Sequence, residues 1–99
     1  MSLTRQEYLL ICLAEECDEV GQRVSKALRF GLSEVQPGQP LNNGARILEE
    51  IHDLLSVLAI LQREGVLPSP PLFPDDTIAA KLAKIEKFMA ISREQGILP

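Results

Sequence analysis

The sequence predicts an all-α protein, an antiparallel helical bundle, on three observations. Apolar residues make up 45% of the chain but aromatics only 4%, with no Trp, so the core must be aliphatic and helix-compatible. Long segments repeat their apolar residues at helical spacing. Stretches rich in proline and glycine separate them. At 99 residues the chain is read as one domain, residues 1–99. A domain this short buries only roughly 65% of the surface its unfolded chain exposes, so oligomerisation is expected to complete the bundle.

The first helix is expected from about Thr4 to Phe30. Thr4 and Glu7 have the spacing of a capping box, and Gly31 falls where a left-handed stop belongs. The loop Gly31 to Asn42 carries Pro37-Gly38 and Pro40, which exclude regular structure. Asn42 or Asn43 can cap a second helix reaching about Glu64, with Gly65 as its stop. Pro68, Pro70, Pro71 and Pro74 make the next loop a stiff spacer. Asp75 or Asp76 is expected to cap a third helix, whose Ile78, Leu82, Ile85 and Met89 share one face until Gly96.

Composition also excludes partners. A net charge of -4 argues against nucleic acid or an anionic membrane as the main partner. Cys12 and Cys17 lie five apart on one helix, their side chains diverge, and neither a bridge nor a metal clip follows. The apolar stretch Tyr8 to Ala14 is cut short by Glu15 and Glu16, unlike a secretory signal. Leu54 to Leu61 contains Ser56 and is far short of the ~20 residues a membrane span needs. A cytoplasmic location is the expectation.

Projected at about 100° per residue, the second helix gathers Ile47, Ile51, Leu54, Leu58 and Leu61 into a stripe that Leu48, Leu55 and Val57 broaden. Glu50 falls inside this stripe and Asp53 at its edge, while Glu49 and His52 project further out. The first helix places Glu16 inside the stripe Leu9, Leu13, Val20, Val24 and Ala27, with Glu19 at its flank. Each helix therefore carries an i, i+3 acidic pair at its apolar seam. Ionised carboxylates in such a seam each cost several kcal/mol unless something positive compensates, and neighbours repel one another. A divalent cation answers both problems. Ligation by oxygen alone suits Mg²⁺, with Mn²⁺ as a substitute, and open coordination positions suit phosphoryl hydrolysis. Arg23 and Lys26 on the flank shared with Glu16 and Glu19, and Arg29 one turn later, are candidate phosphate ligands. Read without a site, the same residues form helical ion pairs and solvated faces.

Glu15-Glu16-x-x-Glu19 followed by Glu50-x-x-Asp53 resembles the EExxE...ExxD signature of the MazG-like all-α nucleoside triphosphate pyrophosphohydrolases. The likeness covers roughly Leu9 to Leu61. Ser25 to Gly31 resembles the basic stretch of short, phage-type members. It implies Mg²⁺-dependent cleavage between the α and β phosphates of a nucleoside triphosphate, giving a monophosphate and pyrophosphate. Glu16, Glu19, Glu50 and Asp53 would be metal ligands, Glu15 would orient or deprotonate the attacking water, and Lys26 and Arg29 would meet phosphates. It further implies a homodimer or dimer of dimers, host cytoplasm if phage-encoded, and a purine deoxynucleotide such as dGTP as first-ranked substrate. Asn42, Asn43 and Gln39 are candidates for contacts with the base, since amides both donate and accept; as loop residues they equally form caps and turns.

Two other readings compete. Glu49-x-x-His52 is half of a ferritin-like di-iron motif, but the chain has a single His. A non-catalytic helical interaction protein would pair Glu50 with Arg23 or Arg46 and would not respond to divalent ions.

Overall fold

The computed structural model describes residues 2–71 and 75–99. Among them are three α-helices and no strand: α1 (Arg5–Phe30), α2 (Asn43–Arg63) and α3 (Thr77–Glu94). The chain falls into two compact units, Met1–Ser69 and Pro70–Pro99, each described by itself.

The first unit is an antiparallel hairpin of α1 and α2. At its open end the capping box forms: Thr4 Oγ1 accepts from the Glu7 N–H at 3.1 Å, and the Glu7 carboxylate accepts from the Thr4 N–H at 3.1 Å. These bonds hold the Glu7 carboxyl below its ordinary pKa. Arg5 forks onto Glu64, with Nε to Oε1 at 3.0 Å and Nη2 to Oε2 at 2.9 Å, tying the start of α1 to the end of α2. No other ion pair forms among the described residues.

At the closed end the loop is stitched by backbone. The Asn43 N–H donates to Glu34 O and the Gly44 N–H to Leu32 O, both at 2.9 Å. Asn42 is the cap of α2, its Oδ1 accepting from the Ala45 N–H at 2.8 Å. Gly31 has the positive φ its place suggested, but φ 100° and ψ 139° lie outside the left-handed helical well. The chain therefore leaves α1 extended, whereas Gly65, at φ 74°, closes α2 with the Val66 N–H bonded to Leu61 O at 2.9 Å.

Ala27 and Leu61 are fully buried, while Leu9, Leu13, Val20, Ile47, Ile51, Leu54, Leu55, Val57 and Leu58 are half-buried. Val24 and Leu48, expected in the seam, are 38% and 52% exposed. Two helices cover only one stripe of each other, and these residues lie beyond it.

In the second unit, Asp76 stands before α3 but its side chain makes no capping bond. Its backbone is helical (φ -92°, ψ -9°), not the extended geometry that aims a capping side chain at the first turn. Ile78, Leu82, Ile85 and Met89 lie exposed along α3. The expected proline spacer extends to Pro74, which lies outside the described residues. Among the described residues no helix is long and apolar enough to cross a membrane.

Candidate metal centre

Helical spacing decides which carboxylates can meet. On α2, Glu50 and Asp53 are one turn apart, so their side chains leave the same face. On α1, Glu16 leaves the face toward α2, as the half-buried Leu9, Leu13 and Val20 do. The hairpin brings these three together: one ligand oxygen each from Glu16, Glu50 and Asp53 lies within 4.8 Å of the others. Glu16 and Glu50 are half-buried and Asp53 is exposed, so the group opens to solvent on one side.

Two of its oxygens have nothing to bond. Glu16 Oε2 and Glu50 Oε2 are buried without a hydrogen-bond partner. Burial, then the charges of Glu19, Asp53 and Glu50, push the Glu16 carboxyl above its ordinary pKa. Glu19, the fourth expected ligand, is exposed and stands outside the three-carboxylate group, its charge acting on Glu16.

Comparison with family models, with curated proteins and with solved structures finds no match.

Arg23, two turns beyond Glu16 on α1, is half-buried, and its Nε and Nη1 are buried without a partner. The pairing a purely structural hairpin would use is not made. Arg46 donates instead to Gln36 Oε1 at 2.7 Å. Lys26 and Arg29 are exposed, the Arg29 guanidinium resting 5.0 Å from the Phe30 ring centre. Glu15 is exposed beside Glu16. His52 and Glu49 are exposed and outside the carboxylate group, which leaves the di-iron motif without a centre among the described residues.

The base-contact expectation meets a correction. Asn43 is fully buried, its Nδ2 donating to Gly31 O at 2.8 Å and toward Glu34 Oε1 at 3.4 Å. Asn42 spends its side-chain oxygen on the α2 cap. Both amides hold the turn, because a tight connection between two helices must satisfy its own backbone groups first. Gln39 is an exposed turn residue whose N–H bonds Gln36 O at 3.0 Å. No further carboxylate joins the group beyond those the spacing singled out, among the described residues.

The raised Glu16 pKa sets a pH dependence. The folded state holds this proton more tightly than the unfolded chain, so without added metal stability is gained as pH falls through the folded value toward the ordinary carboxylate value, and lost as pH rises through that window. Glu7 and Glu64 act oppositely and lower down, since their depressed values cost stability only as pH falls below the usual carboxylate range. Metal-free melting curves should therefore show the wild type losing stability above the ordinary carboxylate value, with Glu16→Gln flatter there. Parallel curves for the two proteins would contradict this account.

Proposed function

We propose that the chain is a divalent-cation-dependent nucleoside triphosphate pyrophosphohydrolase, releasing a nucleoside monophosphate and pyrophosphate. The observation that carries the reading is the convergence of Glu16, Glu50 and Asp53 with two buried, unpartnered oxygens on the apolar seam. Such a group is costly to keep ionised without a cation, and hard oxygen donors alone match Mg²⁺ or Mn²⁺. The substrate class rests on the resemblance of the EExxE and ExxD spacing, and the purine preference on the same ground.

In this reading Glu16, Glu50 and Asp53 hold the ion, and Glu19, whose charge acts on Glu16, is the fourth ligand. When bound, the ion polarises the phosphoryl group and acidifies a water. Glu15, exposed and next to Glu16 in the chain, is assigned the part of orienting that water and taking its proton. The unpartnered Arg23 guanidinium, joined by the exposed heads of Lys26 and Arg29, neutralises the phosphate chain. The working form is a homodimer or dimer of dimers in the cytoplasm.

A panel of NTPs and dNTPs incubated with Mg²⁺ should give pyrophosphate and monophosphate, with a purine deoxynucleotide such as dGTP turned over fastest. Release of orthophosphate alone, or of nothing across the panel, would overturn the reading in favour of a non-catalytic interaction protein.

A further inference from the structure

Helical spacing places more than the carboxylates on the open flank of the hairpin. On α1, Tyr8 and Cys12 lie on the side of the helix that carries Glu16, Glu19 and Arg23. On α2, Val57, Ile60 and Arg46 lie on the side that carries Glu50 and Asp53. The antiparallel register that sets Arg5 against Glu64 and Glu16 near Asp53 also sets Tyr8 level with Ile60, Cys12 with Val57, and Arg23 with Arg46.

The flank is therefore ordered along its length. An apolar wall comes first, starting at the mutually neutralised Arg5 and Glu64: Tyr8 is 61% exposed, Ile60 is 36% exposed, and Cys12 and Val57 are half-buried. The three carboxylates follow. Beyond them stand two guanidiniums without a carboxylate partner, Arg23 with two buried nitrogens unbonded and Arg46 held only by the Gln36 amide. Two cations at one level repel unless an anion joins them.

A metal-bound nucleoside triphosphate has the same order: a flat, largely apolar base, phosphates bridged by the ion, and an anionic end. The spacing also fits. Cys12 and Tyr8 lie one and two turns before Glu16, and Val57 and Ile60 about one and two turns after Asp53. These steps are about 6–12 Å along the axis, the distance over which a nucleoside extends from its α-phosphate.

We infer that the base lies against Tyr8, Cys12, Val57 and Ile60, toward the open end of the hairpin, and that the terminal phosphates point toward Arg23 and Arg46. The inference rests on the hydrolase reading and adds the orientation of the substrate. It moves base recognition to the end of the hairpin away from Asn42 and Asn43, whose amides are taken by the turn. The wall offers the Tyr8 ring for stacking and aliphatic area around it, which favours purines by their larger rings.

Tyr8 is the chain's single tyrosine, so its ring signals report on this wall by nuclear magnetic resonance. Mg²⁺ with a dGTP analogue carrying a methylene between the α and β phosphorus atoms should shift them upfield. Mg²⁺ with inorganic tripolyphosphate, which has no base, should leave them in place. Tyr8→Ala should raise KM for dGTP about tenfold, as loss of base stacking does, with kcat and competitive inhibition by tripolyphosphate unchanged. The exposed Tyr8 side chain makes no hydrogen bond and alanine is the better helix former, so helicity by circular dichroism should hold. Phe30→Ala, at the other end of the flank, should leave KM in place. Turnover of dGTP with silent Tyr8 signals, or a KM raised by Phe30→Ala and not by Tyr8→Ala, would overturn this inference and leave the hydrolase reading standing. No turnover of any nucleotide would overturn both.

Discussion

Glu50→Gln is expected to lower pyrophosphate release by about 100-fold or more, since even the outer partners of metal ligands are worth roughly 10–100-fold. The substitution keeps shape and hydrogen-bonding capacity but removes the charge at a half-buried ligand whose Oε2 has no protein partner. Wild-type protein should also melt higher in millimolar Mg²⁺ or Mn²⁺, because an ion that binds only the folded state stabilises it by mass action. The variant should lose most of that rise. Without metal it should melt no lower than wild type, as the change relieves repulsion among Glu16, Glu50 and Asp53. A Glu50 serving as a salt-bridge partner would behave oppositely: its loss would leave a cation unpaired and destabilise the metal-free protein. An active variant, or an inactive one that is clearly destabilised without metal, would sink the cation reading.

The largest loss of stability is expected at Asn43. Asn43→Asp replaces a buried donor by an acceptor that faces Gly31 O and the Glu34 carboxylate, and it places a charge where no surface is exposed. Burying an unpaired charge and orphaning a carbonyl together cost about 3 kcal/mol or more, of which the N-terminus of α2 returns at most about 1. Urea denaturation should show this as a shifted midpoint with an unchanged slope. Asn43→Ala, which only removes the bond, should cost about 1–2 kcal/mol. Were Asn43 instead a reader of the base, the alanine variant would alter nucleotide preference and leave the midpoint in place.

Local chemistry wrote much of the fold into the chain. Thr4 with Glu7, Asn42, and Gly65 mark helix ends because caps depend on residues within a few positions of the end. Asp76 failed as a cap since its backbone continues the helical turn, a geometry that composition does not specify. Gly31 kept its positive φ but not the left-handed turn, because the loop bonds from Asn43 and Gly44 draw the chain onward.

The sequence by itself determined that Glu16 and Glu50 share faces with aliphatic residues, for azimuth on a helix follows from spacing alone. It equally determined that Asp53 stands one turn from Glu50. Only the tertiary structure decided that Glu16, Glu50 and Asp53 come within 4.8 Å while Glu19 stays outside, that Arg23 remains unpaired, and that Asn43 turns inward. The reason is that register between two helices is set by how the loop closes and how side chains interlock across the seam, and no spacing within one helix carries that distance.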